Sequence, residues 1–214
     1  MSPRRARAVA RRVDVDPATA LREHLVDTAE KLLTERQITT ITTRDIALAA
    51  GVSDGVLYNY FADKNELLLV ALLRRYKGAV TRFEASLPEA GTATVEANLN
   101  VFACAQLEMQ SDVLPIMTGL IPDSVLLRRF VEEMHGQPLG PQHTMERLTD
   151  YITAEQRLGR VPETVDPDAV NTMLMGATAL LALTSLLSPA DARLQISEQL
   201  PLIVGTLMRG LGAR

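Results

Sequence analysis

The stretch TTRDIALAAGVSDGVLYNYFADK, residues 42–64, determines how the N-terminal part of this chain folds. Thr42, followed three residues later by Asp45, forms a capping box that predicts the start of a short helix. Gly51 readily adopts the positive φ that ends a helix, and Ser53 can cap the amide groups of the next one. The stretch therefore predicts two short helices joined by a tight turn, the arrangement of a helix-turn-helix DNA-binding unit.

Helical periodicity continues on both sides of this stretch. Apolar residues from Leu21 to Leu33 recur at helical spacing and predict a helix over about 20–35, and the apolar run that begins at Leu67 predicts another over about 64–86. Pro115, Pro122 and other prolines then separate further predicted helices, at about 93–110, 112–120, 123–135, 141–158, 167–187 and 190–211. No segment alternates convincingly with strand period, so the predicted fold class is all-α.

Charge is distributed unevenly along the chain. The formal net charge is −4, yet residues 1–80 contain 13 Lys and Arg against 10 Asp and Glu, whereas residues 81–214 contain 9 against 16. The basic part includes the helix-turn-helix, and phosphates would repel the acidic remainder. With a boundary near Pro88, we predict a basic, flexible arm at 1–19, a three-helix DNA-binding domain at 20–66, a connecting helix at about 64–86, and a helical ligand-binding and dimerisation domain at 87–214.

The composition predicts a cytoplasmic protein. A single cysteine excludes an internal disulfide, and the first twenty residues contain five arginines without the apolar core of a secretory signal. The uncharged stretch 169–190 is long enough to span a membrane, but Asn171 and Thr172 dilute it, Pro189 interrupts it and no aromatic belt flanks it. We expect protein to bury this helix, which with the one at about 190–211 can form a subunit interface.

The helix-turn-helix resembles the TetR family of bacterial transcriptional regulators. The matching residues are Thr43 to Ala47, Ala50 to Ser53, Gly55, Leu57, Tyr58, Tyr60, Phe61, Lys64 and Leu67. The resemblance implies a homodimer, formed through the last two helices, that binds a palindromic operator in double-stranded DNA with its third helix in the major groove. It further implies a repressor that a small-molecule effector releases from DNA.

Candidate DNA-binding residues follow from the resemblance and from side-chain chemistry. Thr42 and Thr43 begin the second helix, where free amides favour a phosphate, with capping alone as the alternative. Arg44 can contact a phosphate or a guanine edge. The resemblance places Tyr58 and Lys64 near phosphates, Tyr60 near the groove or a phosphate, and Asn59 near bases. We expect inward packing for Leu57, Phe61, Ile46, Ala47 and Val52. The complete set is Thr42, Thr43, Arg44, Ser53, Asp54, Gly55, Tyr58, Asn59, Tyr60 and Lys64.

Two residues depart from the usual pattern of the family. Asp54 replaces the more usual Lys, Arg or Gln, and we favour capping or internal pairing for its carboxylate over acceptance from cytosine N4. Val56 replaces a frequent hydroxyl residue and can contact a thymine methyl. The arginines at positions 4, 5, 7, 11 and 12 can enter a minor groove or form a disordered tail. These departures predict an operator particular to this chain.

The second domain offers candidates for a mostly apolar effector site. They are Phe102, Gln106, Met109, Met117, Met145, Tyr151, Asn171, Met175 and Thr178, and for each residue taken singly a place in the core is the favoured alternative. This composition predicts a lipophilic effector.

No residue pattern predicts catalysis, a metal site or a cofactor. We expect Cys104 to be a buried structural thiol, and His24, His135 and His143 lack metal-ligand spacing. The alternatives are a dimeric small-molecule-binding protein or enzyme in which the helix-turn-helix is only structural, and a regulator that has no effector.

Overall fold

The computed structural model describes residues 16–135, 140–188 and 198–212, and this part of the chain contains nine α-helices and no strand. The all-α prediction is therefore confirmed. The helices are α1 (Pro17–Glu35), α2 (Thr43–Ala50), α3 (Asp54–Leu57), α4 (Lys64–Ser86), α5 (Val95–Leu120), α6 (Ser124–His135), α7 (Pro141–Arg157), α8 (Pro167–Leu187) and α9 (Leu200–Gly212).

The chain divides into two compact units. Of the described residues, the first contains those up to Arg75 together with Gly119–Glu133, and the second contains Tyr76–Thr118 and those from Met134 onward. The division falls within α4, within α5 and just before the end of α6, so each of these helices contributes residues to both units. The domain limits drawn from the sequence are contiguous along the chain and stay predictions.

A capping box starts α2, as the sequence predicts. The Asp45 amide donates to the Thr42 hydroxyl at 3.1 Å, while the Thr42 amide donates to the Asp45 carboxylate at 2.9 Å. The Arg36 guanidinium lies 3.0 Å from the same carboxylate. The Thr42 hydroxyl also donates to this carboxylate at 2.6 Å. This bond, followed by those from the Thr42 amide and Arg36, lowers the pKa of Asp45 to about 2.

A left-handed glycine ends α2, again as predicted. Gly51 has φ +70° and ψ +30°. Its amide donates to the Leu48 carbonyl at 3.2 Å and the Val52 amide donates to the Ala47 carbonyl at 3.0 Å, which is the hydrogen-bond pattern of a Schellman motif. The chain therefore leaves α2 in a fixed direction before α3 begins.

Buried apolar side chains position the helices of the first unit. Ile46, Ala47, Leu57 and Phe61 are buried as predicted, and full burial of a leucine or phenylalanine contributes roughly 1.5–3 kcal/mol. Val52 is half-buried.

Arg74 in α4 links to the acidic face of α1, where Glu23, Asp27 and Glu30 follow one another at helical spacing. The guanidinium lies 2.9 Å from Glu23 and 2.8 Å from Glu30, and it also donates to Asp27. The hydrogen bond with Glu30 is the main cause of the raised pKa of Arg74. This network fixes α1 against the first half of α4.

The end of α5 also belongs to the first unit. A Cβ atom added to Gly119 would lie 3.2 Å from the Cδ1 atom of Ile38, which is in the 3₁₀ turn Ile38–Thr40 that leads into α2. Leu120 at the end of α5 and Leu126 and Phe130 in α6 are fully buried. A segment remote in sequence thus completes the unit that contains the helix-turn-helix.

The predicted helix break at Pro115 is wrong, because α5 continues from Val95 to Leu120. Proline lacks the amide that would bond the Ser111 carbonyl, at a cost of about 3 kcal/mol in an isolated helix. In a helix of 26 residues this loss is small beside the remaining backbone bonds and the burial of Ile116 and Leu120.

The core of the second unit includes side chains from α5, α7, α8 and α9. Leu99, Phe102, Ile152, Leu174 and Val204 are among its buried members, and α8 packs against both α7 and α9. The carboxylate-bearing residue Glu155 in α7 is fully buried as well.

Glu155 joins the end of α7 to the loop between α4 and α5. Its carboxylate accepts from the Gly91 amide at 3.1 Å and lies 3.2 Å from the Nε atom of Arg160. Arg160 also donates to the Ala93 carbonyl at 2.6 Å. A buried carboxylate requires such partners, because an unpaired one costs several kcal/mol. Burial, and then Glu155, raises the pKa of Tyr151 to about 12.

Replacing Gly51 by alanine should lower the free energy of unfolding by about 1 kcal/mol, because alanine is strained at φ +70°. A Cβ atom meets nothing within 4 Å at Gly51 or at Gly55, and only Gly51 has positive φ. Gly55→Ala is therefore the matched control and should be neutral or slightly stabilising. Urea unfolding measures both variants, and equal losses of stability would contradict the role of the left-handed conformation.

Asp45 should make stability depend on pH in the acid range. Its folded pKa of about 2 lies below the ordinary value of 3.8, so its contribution is fully present above 3.8 and disappears as the pH falls towards 2. Asp45→Asn should have a lower urea midpoint than the parent chain at about pH 6, and the difference should shrink between pH 3.8 and 2. Asp150→Asn is the control, since Asp150 is exposed and has no hydrogen bond or ion pair with the described residues. A difference that stays constant with pH would exclude the carboxylate as its source.

Candidate nucleic-acid interface

The polar side chains of α2 and of the segment that follows it lie at the surface. Arg44, Asp54 and Asn59 are exposed, and Tyr58 is 56% exposed. Together with Tyr60, which is half-exposed, these side chains make no hydrogen bond or ion pair with any residue that the structure describes. Their polar groups are therefore available to an external partner.

The α3 segment is longer than its four helical residues. Backbone hydrogen bonds from Asn59 to Val56 at 3.2 Å and from Tyr60 to Leu57 at 3.1 Å continue the turns as far as the Phe61 amide, which also bonds Leu57. The two turns expected from the sequence are present, with the tighter i to i+3 bonding of a 3₁₀ helix in the second. Tyr58, Asn59 and Tyr60 thus project from consecutive positions of one short curved segment.

The two capping roles expected at the start of α3 are wrong. The Ser53 side chain makes no capping hydrogen bond, and only its carbonyl accepts, from the Val56 amide at 3.0 Å. The Asp54 carboxylate likewise has neither a capping bond nor an internal partner among the described residues. A turn bond satisfies the Val56 amide, and the side chains of Ser53 and Asp54 are exposed.

Lys64 and His24 connect the helix-turn-helix to its neighbours. The Lys64 ammonium donates to the Ile41 carbonyl at 2.7 Å, which ties the start of α4 to the residue before the capping box. The Nε2 atom of His24 lies 3.0 Å from the Ala50 carbonyl and must donate, because a carbonyl only accepts. The sequence signals no role for His24, since its partner is 26 positions away.

Thr42, Thr43 and Gly55 complete the set of candidate DNA-binding residues. The Thr42 hydroxyl is held by Asp45, the Thr43 side chain is half-exposed in the first turn of α2, and Gly55 is exposed in α3. All ten candidates lie within residues 42–64, between the start of α2 and the start of α4. The five arginines at positions 4–12 lie outside the described residues.

Some candidate effector-binding residues belong to the packed core of the second unit. The rings of Phe102 and Tyr151 are 5.0 Å apart and both are buried, as is Gln106. The Thr178 hydroxyl, also buried, donates to the Leu174 carbonyl of its own helix at 3.0 Å.

The other candidates are spread over the second unit. Met145 is exposed, and its carbonyl accepts from the Asn171 amide group at 2.6 Å. Met117 and Met175 are half-buried. Met109 differs from the rest, because it lines a cavity of about 400 Å³ between α4 and α5.

The prediction that Cys104 is buried is wrong, because its thiol is exposed on α5. The neighbouring Phe102, Ala103 and Ala105 are the residues of this stretch that face inward. Partial burial, and then the charge of Glu108, raises the pKa of the thiol. Among the described residues, no group of three or more His, Cys, Asp and Glu could hold a metal ion.

Apolar side chains cover much of the outer surface of α8 and α9. Leu180 is 64% exposed and Leu187 76% exposed in α8, and Leu202 is 71% exposed in α9. By length and composition alone α8 could cross a membrane, with a mean hydropathy of 1.6, and 28% of its apolar window is buried within the chain. The expectation that protein buries α8 is therefore met only in part by a single chain.

The fold resembles that of solved regulators over nearly the whole chain. A TetR-family regulator from Mesorhizobium loti MAFF303099 superposes with a TM-score of 0.73 at 14% identity, covering 91% of this chain and 98% of that one. The regulator FadR from Bacillus subtilis, solved with stearoyl-CoA, superposes with a TM-score of 0.62 at 18% identity, covering 88% and 98%.

Sequence comparison agrees with this likeness in the N-terminal part. The HTH-type transcriptional regulator HbdR of Aromatoleum sp. (strain CIB) is 34% identical over 96 residues, which are 42% of this chain and only 40% of that relative. Residues 25–71, which include the whole helix-turn-helix, match the family described as bacterial regulatory proteins, tetR family. At its helix-turn-helix, the chain is therefore similar to the TetR family of bacterial regulatory proteins.

Proposed function

We propose that this protein is a cytoplasmic transcriptional repressor that binds a palindromic operator as a homodimer and leaves it when a small effector binds. The observation that supports DNA binding most directly is the row of unpaired, exposed polar groups on a helix-turn-helix, from Arg44 to Tyr60. A purely structural helix-turn-helix would have no need to keep these groups free. The family is in general non-enzymatic, and we propose no catalytic activity.

The candidate residues divide into those that position DNA and those that select its sequence. Thr43, Tyr58 and Lys64 would contact phosphates, and Lys64 has two further N–H donors besides the one that bonds Ile41. Asn59 can form a bidentate pair with adenine, and the free Asp54 carboxylate can accept from cytosine N4. Arg44 can contact either a phosphate or the edge of a guanine.

The exposed apolar surface of α8 and α9 supports the proposed homodimer. Leu180, Leu187 and Leu202 would lose contact with water if the two helices packed against the same two of a second chain. Such two-fold packing gives a four-helix bundle. The heads of the dimer would then bind half-sites about 34–36 Å apart.

Release by an effector requires a difference in affinity between two conformations. An effector that binds the DNA-free conformation a hundredfold better supplies about 2.7 kcal/mol of coupling. The continuous helices α4 and α5 contribute to both compact units and are the elements through which we expect such a change to pass. We propose a lipophilic effector, as the apolar composition of the second domain predicts. The Bacillus subtilis regulator was solved with stearoyl-CoA, but its likeness to this chain extends to the fold alone.

Selection of bound duplexes from a random DNA pool, using the full-length chain, tests the proposed function. We expect enrichment of a palindrome whose half-sites are about 10 base pairs apart, because two equivalent heads would contact them. An unrelated non-binding protein carried through the same rounds is the control for amplification bias. If no sequence is enriched, the helix-turn-helix is only structural, and an asymmetric single half-site would contradict the dimer.

Arg44→Gln should weaken binding to the selected operator and make its salt dependence less steep. Loss of one phosphate contact reduces the slope of log K against log salt by about one. Arg44 has no partner among the described residues, so the substitution leaves the fold unchanged. Lys77→Gln removes the same charge from an exposed position in the second unit and should leave the slope unchanged. Equal effects of the two variants would mean that only net charge matters.

A further inference from the structure

A cavity in the second unit combines an apolar side with charged residues. It lies between the C-terminal half of α4 and the middle of α5, and its volume is about 400 Å³. Its lining includes the apolar residues Phe83, Leu107 and Met109 and the charged residues Arg82, Glu108 and Asp112. Its size falls within the range of small-molecule sites, which combine apolar walls with a few polar groups.

Two of the charged lining residues form an ion pair, and a third, Glu108, has no such partner among the described residues. The Arg82 guanidinium in α4 lies 2.6 Å from the Asp112 carboxylate in α5. The Arg82 side chain is 66% exposed and that of Asp112 41%, so water solvates the pair and a ligand can replace it at little cost. Glu108, one helical turn before Asp112, has no hydrogen bond or ion pair with the described residues. Two carboxylates and one guanidinium give the lining a formal charge of −1.

The backbone and the charge of the surrounding sequence favour a positive ligand, as the carboxylates of the lining do. Pro115 has no amide hydrogen to donate to the carbonyl of Ser111, a residue that also lines the cavity. Residues 81–214 contain 16 acidic against 9 basic residues, so the surrounding field also favours a positive ligand. A coenzyme A thioester, with its several phosphate charges, would be repelled.

We propose that this cavity binds an amphipathic organic cation, with its apolar part along Phe83 and Met109 and its protonated amine between Glu108 and Asp112. The amine N–H groups would donate to the two carboxylates and displace Arg82 from Asp112, which separates the contact between α4 and α5. This inference rests on the proposed ligand-responsive function and names the chemical class of its effector.

Ligands that share a decyl tail and differ in the head group test the proposal. Calorimetry on the full-length protein at neutral pH and below micelle-forming concentrations compares decylamine, decanol, decanoate and decanoyl-CoA. Decylamine should bind at least tenfold more tightly than the other three. Glu108→Gln and Asp112→Asn should each weaken decylamine at least fivefold and leave decanol unchanged, whereas Arg82→Gln should strengthen decylamine severalfold by removing its competitor.

Glu146→Gln is the matched control, because it removes an exposed carboxylate in α7 that has no partner among the described residues. Thermal unfolding confirms that each variant is folded, and Glu108 is exposed, so its replacement leaves the core intact. The proposal is overturned if decanoate or decanoyl-CoA binds as tightly as decylamine, or if Glu108→Gln and Glu146→Gln behave alike.

Release of the selected operator duplex is measured separately. It shows whether the cavity assignment or the proposed function has failed. Tight binding of decylamine without release would leave the cavity assignment intact and contradict the effector response. Release by a ligand of another class, together with weak binding of decylamine, would contradict the cavity assignment and retain the regulator.

Discussion

The left-handed conformation of Gly51 is the constraint on which the presentation of the helix-turn-helix depends. The Schellman bonds at Leu48 and Ala47 can form only when the chain turns at this residue. His24 then bonds the Ala50 carbonyl, so the end of α2 is held from α1 as well as from within the turn. Because the exit from α2 is fixed, α3 starts in one direction, and the segment from Tyr58 to Tyr60 presents its side chains in one arrangement.

Polar groups in this unit divide into two sets with different uses. Thr42, Asp45 and Lys64 bond to the chain itself and fix where α2 and α4 begin. Arg44 and Asn59 have no such bonds and keep their hydrogen-bonding capacity for a partner. The second set depends on the first. A free side chain can contribute to the affinity for a phosphate or a base only if its backbone is already held in the right position.

The sequence predicts structural features that depend on residues close together in the chain. It does not predict contacts between residues that are far apart in the chain. The capping box at Thr42 and the turn at Gly51 could be predicted because every group involved lies within six positions. The pairing of Arg74 with the acidic face of α1 spans 44 to 51 positions and could not. Pro115 shows the opposite error, since a strong local signal for a break was outweighed by the length and burial of α5.

The candidate sites follow the same rule. The DNA-binding candidates stay predictions; they could be chosen from the family pattern because all of them lie within residues 42–64. The cavity could not, because it depends on how α4 lies against α5, and Met109 alone of the sequence-derived effector candidates lines it. The sequence of the second domain is rich in apolar residues. Composition alone does not distinguish a residue packed in the core, such as Phe102, from one that lines a cavity, such as Met109.

The charge of the proposed effector limits how it could release DNA. A bound cation adds a positive charge to the protein, which by electrostatics alone would strengthen attraction to phosphates. Release must then come from geometry, through a conformation that the ligand favours and the operator does not. The exchange of Arg82 for a ligand amine at Asp112 provides such a difference, because it replaces a contact between α4 and α5 with one that involves α5 alone. By linkage, operator DNA would weaken effector binding by the same factor as the effector weakens operator binding.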